Sequence, residues 1–139
     1  MKKLSKYATL FVVGGVLYCL IEILWRGYTH WTMGVLGGIC FILVGLINNS
    51  RFFYHFMPFR QQMVIGGLIV TFMEFIAGCI LNLWLELGIW DYSQVPFNLF
   101  GQICLPYTLL WILLSAVCIV VDDYLRYWLF GEQKPEYKW

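Results

Sequence analysis

Charge is almost absent from two long stretches of this sequence: residues 31–50 contain no charged side chain, and neither do residues 92–121. Only 12% of the 139 residues are charged and 61% are hydrophobic, whereas soluble proteins carry roughly 25% charged residues. About 20 consecutive apolar residues suffice to cross a bilayer. A soluble fold of this size could not bury so much apolar surface, so the sequence predicts an integral membrane protein.

Motifs for catalysis, for nucleotide binding and for metal binding are also missing. The sequence has no phosphate loop, no hydrolase elbow, no HExxH and no carboxylate-rich metal motif. Its five cysteines lie in apolar context without C-x-x-C or Cys/His spacing. No basic stripe is present to hold the phosphates of a nucleic acid. We therefore expect no cofactor, no metal site and no nucleic-acid partner, and the absence of a visible nucleophile–base pair argues against an enzyme.

Positive charge is missing from one side of the predicted membrane protein. The segment 86–100 holds Glu86 and Asp91 but neither Lys nor Arg. The basic residues cluster instead before the first apolar run, between the second and third runs, and after the fourth: Lys2, Lys3, Lys6, Arg51, Arg60, Arg126, Lys134 and Lys138. Because positive charge favours the cytoplasmic side, both termini and the middle loop are predicted to be cytoplasmic.

The apolar runs predict an all-α integral membrane protein with a single transmembrane domain, residues 1–139. Four transmembrane helices are expected, at about residues 7–25, 31–48, 63–86 and 101–122. The short connection from Arg26 to His30 makes the first two helices an antiparallel hairpin. Residues 49–62, which mix basic and aromatic side chains, are expected to lie at the headgroup level, and residues 123–139 form a cytoplasmic tail.

Repeated sequence marks indicate that the domain is a duplicated helix hairpin. Gly14-Gly15 followed by six residues and Glu22 recurs 52 residues later as Gly66-Gly67, six residues and Glu74. The marks Gly37-Gly38-Ile39-Cys40 and Gly101-Gln102-Ile103-Cys104 are offset by 64 residues, so the second half is longer by twelve. Each unit (about 7–48 and 63–122) contains two spans, so the repeats are predicted to be parallel.

The twelve extra residues fall in an outer loop, Leu87 to Phe100. Asn98, or Ser93 with a longer turn, is expected to cap the fourth helix. The polar residues of this region that we single out as candidates are Asp91, Tyr92, Asn98 and Gln102. They form either the mouth of a cavity or the internal hydrogen bonds of the loop.

Two carboxylates inside apolar runs are the strongest functional candidates, because an ionisable group at membrane depth is costly. Glu22 stands one helical turn before Arg26, a spacing that favours an ion pair within the helix. Glu74 has no charged neighbour one turn away. It must pair with another helix (for example through Arg26), keep its proton or bind a cation.

A third acid–base spacing occurs near the end of the fourth apolar run. Asp122-Asp123 stands one turn before Arg126. At the predicted end of a span, this pattern is typical of a solvated ion pair.

The second half of the chain resembles a bacterial family described as putative ABC-transporter type IV permeases, also called CmpB-like. The residues that carry the resemblance are Glu74-Phe75-Ile76-Ala77-Gly78, Trp90-Asp91-Tyr92-Ser93, Pro96-Phe97-Asn98-Leu99, Gly101-Gln102-Ile103-Cys104-Leu105 and Trp111, together with Glu22 and Arg26-Gly27-Tyr28 in the first half. The chain departs from the family pattern over Trp31 to Cys40, which lack proline. The resemblance implies a small multi-pass protein of the bacterial inner membrane.

The favoured hypothesis is a small transporter or channel for an ion or polar solute. Glu22 and Glu74 would bind a cation or relay protons, Arg26 would bias their ionisation, and residues 90–102 would form an outer gate. Two or more copies are expected, because four helices enclose only a narrow path. A partner membrane subunit or ATPase subunit is a further candidate partner. An accessory structural subunit is a second hypothesis, and a lipid-modifying enzyme is a third.

Overall fold

The computed structural model describes residues 2–49, 58–132 and 134–137. The described elements are, in chain order, α1 (Lys2–Arg26), α2 (Trp31–Asn49), α3 (Phe59–Gly78) with a π-helical extension over Cys79–Trp84, β1 (Asn98–Leu99), β2 (Ile103–Cys104) and α4 (Leu105–Phe130). The predicted all-helical class is confirmed. Most of the predicted headgroup-level segment falls on residues 50–57, which lie outside the described residues, whereas residues 59–62 belong to α3.

Three of the described helices are long and apolar enough to cross a membrane: Lys3–Arg26, Phe59–Trp84 and Leu105–Phe130. The apolar part of α2 is shorter, Trp31–Ile47. At a rise of about 1.5 Å per residue it spans roughly 25 Å, against a hydrocarbon core of about 30 Å. The protein is therefore multi-pass, and α2 as a fourth complete span stays a prediction.

Helix α2 lies at the centre of the fold. It packs against α1 on one side and against α3 and α4 on the other, while α3 also packs along α4. Its buried apolar residues contribute to two clusters: Met33, Leu36 and Cys40 with Trp90 toward one end, and Val44 and Ile47 with Ile119 toward the other. By contrast, side chains such as Leu24 on α1 (86% exposed) and Leu113 on α4 (63% exposed) give the outer helices an apolar surface suited to lipid.

Glycines at the helix contacts allow α1 to approach α2 closely and α3 to approach α4 closely. A Cβ on Gly15 would lie 2.7 Å from the carbonyl oxygen of Gly34 in α2, and a Cβ on Gly67 would lie 2.7 Å from the backbone of Ile112 in α4. The repeated glycine pairs Gly14-Gly15 and Gly66-Gly67 thus lie at the α1–α2 and α3–α4 contacts, where small residues allow membrane helices to approach closely. The second pair of repeated marks differs, because residues 37–40 lie inside α2 whereas residues 101–104 precede α4. The duplication stays a prediction.

Helix α4 begins and ends later than predicted. Residues 101–104 are not helical, because β2 pairs antiparallel with β1, Asn98 opposite Cys104. The helix then runs past the two aspartates to Phe130, where Gly131 (φ 66°) adopts the left-handed conformation that commonly ends a helix. The predicted capping role of Asn98 or Ser93 is wrong: the N-cap residue is Cys104, without a side-chain cap.

The segment between Trp84 and Leu105, which contains the predicted outer loop and keeps that name below, folds against the helices. It follows the π-helical segment, in which the amide of Leu85 donates to the carbonyl of Ile80 at 2.9 Å. Within the loop, Trp90 is 5% exposed, packs in the cluster with α2 and donates from Nε1 to the carbonyl oxygen of Gln102 at 2.9 Å. These contacts position the loop over Glu74.

Candidate functional site

Glu74 is buried in α3, nearer the end that leads into the outer loop. It lies 15 residues after Phe59 and 10 before Trp84, and it is 2% exposed. The phenol of Tyr92 donates to Oε1 at 2.8 Å, and the indole Nε1 of Trp111 donates to Oε2 at 2.8 Å. Both partners are neutral. The suggested ion pair between Glu74 and Arg26 is wrong. Glu74 belongs to none of the ion pairs found among the described residues, and Arg26 is paired with Glu22.

Tyr92 connects the outer loop to Glu74 through its hydroxyl hydrogen bond. Burial, together with the nearby charge of Glu74, raises the pKa of the Tyr92 phenol well above its usual range. The phenol therefore stays protonated and available as a donor. Its ring stacks on that of Tyr107 in α4, with the ring centres 4.8 Å apart and the planes 13° from parallel.

Trp111 of α4 contacts both Glu74 and α1. While its indole nitrogen binds Glu74, its ring stacks on Tyr18 of α1 at a centroid distance of 5.7 Å. Nearer the outer end, Trp25 of α1 donates to the hydroxyl of Tyr107 at 3.3 Å. Aromatic contacts thus connect α1 and α4 in front of Glu74.

Glu22 and Arg26 form the predicted ion pair within α1. Arg26 Nε lies 2.8 Å from Glu22 Oε2, and Nη2 donates to Oε1 at 3.0 Å. The guanidinium also donates to the carbonyl oxygen of Ile89 at 3.3 Å and lies 4.8 Å from the ring centre of Tyr28. Arg26 is therefore fixed by a carboxylate, a loop carbonyl and an aromatic ring.

A cavity of about 190 Å³ lies in front of these groups, between α1, α4 and the outer loop. We call it the outer cavity. Its lining includes Glu22, Arg26 and Tyr92 among the predicted site residues, and Glu74 lies directly behind Tyr92 and Trp111. A second cavity of about 180 Å³, the inner cavity, shares Tyr18 and Trp111 with it and extends toward Ser115 and Val121.

The remaining predicted site residues, Asp91, Asn98 and Gln102, make hydrogen bonds within the loop. Asp91 accepts from the amide of Ser93 at 2.9 Å and is exposed. Asn98 donates to the carbonyl of Val95 at 2.9 Å and accepts from the amide of Gly101 at 3.1 Å. Gln102 is 3% exposed; its Oε1 accepts from Asn82 at 2.8 Å, and its Nε2 donates to the carbonyl of Phe100 at 3.0 Å. None of the three lines either cavity described above.

Sequence reasoning found Tyr92 but missed the aromatic members of the site on α1 and α4. Tyr18, Glu22 and Trp25 stand four and three residues apart on α1, and Tyr107 and Trp111 stand four apart on α4. Such spacing places side chains on one helix face. A search for aromatic residues in register with the intramembrane carboxylates would have found them.

A second carboxylate–arginine pair is buried at the other end of the fold. Arg126 Nε donates to Asp122 Oδ2 at 2.9 Å, with the two side chains 4% and 0% exposed. The predicted solvated pair is therefore wrong. The helix continues beyond it, and Gly45 of α2 leaves room for the carboxylate, since a Cβ there would lie 2.5 Å from it.

The described residues were compared with the side-chain groups that hold metal ions. They include no group of three or more His, Cys, Asp or Glu side chains placed to hold a metal ion. The five cysteines are free thiols, and two of them, Cys40 and Cys104, are buried.

Comparison with known protein families places most of the chain in a described family. A family model described as putative ABC-transporter type IV matches residues 9–133, nearly the whole chain. No curated protein and no solved structure matches the chain.

Proposed function

We propose that this chain, which belongs to the family described as putative ABC-transporter type IV, moves a small ion or polar solute along a path lined by Glu22 and Glu74. The family and the apolar helices make it a transporter-like, multi-pass membrane protein. The observation that carries the finer proposal is the state of Glu74: a carboxylate 2% exposed, held by two neutral donors, behind the wall of a cavity.

The chemistry of Glu74 supports a role in binding. A buried carboxylate that serves only stability is expected to be paired with a base, because an uncompensated charge at membrane depth is costly. Glu74 instead accepts two neutral hydrogen bonds, and Tyr92 and Trp111 stand between it and the outer cavity. A proton or cation that reached Glu74 would compete with these donors for its oxygens.

The outer loop is the proposed gate. Tyr92 belongs to the loop, whereas Trp111 belongs to α4, so release of the Tyr92 hydrogen bond frees the loop from Glu74 without separating α3 from α4. Since the loop also carries the Ile89 carbonyl that binds Arg26, its movement would reach Glu22 as well.

Liposome flux tests the proposal. The purified protein is reconstituted and the movement of Na⁺, K⁺ and protons is followed with ion-sensitive dyes. Glu74→Gln keeps the side-chain volume but removes the carboxylate charge, so we expect normal assembly and lost flux. Glu86→Gln makes the same chemical change at an exposed loop carboxylate and should behave as the wild type. Unchanged flux in Glu74→Gln would overturn the proposal.

A structural accessory subunit is the second candidate, because Glu74 also ties the loop (Tyr92) to α4 (Trp111). In that case the wild type gives no flux above protein-free liposomes, and Glu74→Gln loosens the fold. Isolation of an obligate partner subunit, such as an ATPase, with the wild type would favour this candidate.

Orientation and assembly complete the proposal. The positions of the basic residues support a topology with both termini in the cytoplasm. A bacterial inner-membrane location, two parallel repeats and two or more copies are further parts of the proposal. In a background without the five native cysteines, Gln94→Cys should react with an impermeant thiol reagent from the periplasm and Lys134→Cys should not. Light scattering of the purified protein gives the number of copies.

A further inference from the structure

Aromatic side chains dominate the lining of the outer cavity. Six of the twelve lining residues are aromatic: Tyr18, Trp25, Trp90, Tyr92, Tyr107 and Trp111. They come from α1, the outer loop and α4, so three separate parts of the fold supply rings to one space. A site that binds an inorganic cation directly would instead present several free oxygen ligands.

The carboxylate oxygens near this cavity are already engaged. Glu22 is paired with Arg26 at 2.8 Å, and both oxygens of Glu74 accept hydrogen bonds. Arg26 lines the cavity, but its charge is compensated by Glu22 and its guanidinium is held by the Ile89 carbonyl and the Tyr28 ring. If Glu22, Arg26 and Glu74 are all ionised, the site carries one net negative charge, which lies behind two of the rings.

That charge strengthens the attraction of the rings for a cation. A ring face attracts a cation through its quadrupole, and Trp and Tyr are the strongest such rings. Tyr92 and Trp111 each donate a hydrogen bond to Glu74, and donation to a carboxylate moves electron density into the ring. We infer that the outer cavity binds an organic ammonium ion, whose diffuse charge is met by aromatic side chains rather than by carboxylate ligands.

The neighbouring inner cavity fits the organic part of such a ligand. It shares Tyr18, Ile21, Trp111 and Leu114 with the outer cavity and is otherwise lined largely by apolar residues of α1, α2 and α4. The inference rests on the proposed function in one respect: it takes the bound ammonium ion to be the solute that is moved.

Binding of three isosteric probes to the purified protein tests this inference. The probes are choline, its neutral carbon analogue 3,3-dimethylbutan-1-ol and the anion 3,3-dimethylbutanoate, each titrated by isothermal calorimetry. We expect choline to bind at least about tenfold more tightly than the alcohol, within the range of a desolvated cation–π contact. Equal binding of choline and alcohol, preferential binding of the anion to Arg26, or no binding of choline would overturn the inference.

Two tryptophan variants locate the site. Trp25 lines the outer cavity and Trp128 does not, although both are 69% exposed on their helices. Trp25→Leu should weaken choline binding roughly two- to fivefold, the loss of one exposed cation–π contact, whereas Trp128→Leu should leave it unchanged. Equal effects of the two variants would contradict binding in the outer cavity.

Binding and flux separate the two proposals. Choline binding without flux of any solute would overturn the transport proposal and leave the ligand class standing. Flux of Na⁺, K⁺ or protons without choline binding would overturn the ligand class alone.

Discussion

Two ion pairs of the same sequence pattern end up in opposite environments. Glu22–Arg26 in α1 and Asp122–Arg126 in α4 both place the acid four residues before the arginine. The first pair lines the outer cavity, with side chains 12% and 22% exposed, and shares its guanidinium with the loop carbonyl of Ile89. The second is enclosed by the packed helices. The spacing determines the pairing, but the neighbouring helix determines the burial.

The two pairs also differ in how completely their polar atoms are bonded. In the inner pair, Asp122 Oδ1 and Arg126 Nη1 and Nη2 have no hydrogen-bond partner within the described part of the chain, whereas in the Glu22–Arg26 pair this holds for Arg26 Nε alone. Arg126 Nη1 lies 4.0 Å from Glu132 Oε1, and the guanidinium lies 5.7 Å from the ring centre of Tyr7. Low exposure with incomplete bonding makes this pair sensitive to the loss of either member.

The largest expected effect therefore comes from breaking the inner pair. Arg126→Leu leaves Asp122 as an uncompensated buried charge and should lower the free energy of unfolding by roughly 3–5 kcal/mol. Arg26→Leu should cost less than Arg126→Leu, because the side chains of Glu22 and Arg26 keep 12% and 22% exposure beside the outer cavity. Unfolding in mixed micelles measures both. The double variant Asp122→Leu/Arg126→Leu should recover most of the loss, and equal losses in the two arginine variants would contradict the comparison.

A smaller effect is expected where a buried carboxylate loses one neutral donor. Tyr92→Phe removes the hydroxyl that donates to Glu74, and hydrogen bonds to charged groups contribute about 1.5–3 kcal/mol. Tyr107→Phe is the matched control, since its hydroxyl only accepts a 3.3 Å bond from exposed Trp25. Thermal unfolding of the two variants should differ. If Tyr92→Phe is as stable as Tyr107→Phe, then Glu74 does not depend on its loop donor.

Much of the architecture could be predicted from the sequence because it depends on local patterns. The charge-free stretches predict the membrane class, and the four-residue spacing predicts the Glu22–Arg26 pair that the structure contains. The partners of Glu74 follow no local pattern. Tyr92 is 18 residues away and Trp111 is 37 residues away, and they meet only because α3 packs on α4 beneath the loop.

The length of α4 and the state of its acidic pair were mispredicted for one shared reason. Asp122 and Asp123 end the apolar run, so the helix was expected to stop there. In the fold, Arg126 compensates Asp122 inside the helix, and Gly45 of α2 makes space for the carboxylate. A glycine 77 residues earlier in the chain therefore decides whether this acid is buried, which no local window contains.

That glycine gives the third prediction. Gly45→Ala places a Cβ 2.5 Å from the carboxylate of Asp122, and overpacking of this kind costs about 1–3 kcal/mol. Gly34→Ala is the control: its Cβ would meet Cys19 Sγ at 3.3 Å, and alanine gains up to about 1 kcal/mol in a helix. Thermal unfolding should show a clear loss for Gly45→Ala and little change for Gly34→Ala. Equal unfolding midpoints of the two variants would mean that Asp122 can move away from the added methyl group without loss of stability.

The smallest effect concerns the ion pair that joins the ends of α1 and α4. Lys6 Nζ lies 3.2 Å from Glu132 Oε2, with side chains 17% and 30% exposed. Because partly exposed pairs contribute at most about 1 kcal/mol and are screened by salt, Lys6→Met should lower the unfolding midpoint slightly at low salt and not at about 1 M salt. Lys3→Met is the control, since Lys3 pairs with no carboxylate among the described residues. The loss from Arg126→Leu should persist at high salt, because a buried pair is shielded from the ions. A deficit of Lys6→Met that also persists at high salt would mean that Lys6 and Glu132 act as a buried pair, like Asp122 and Arg126.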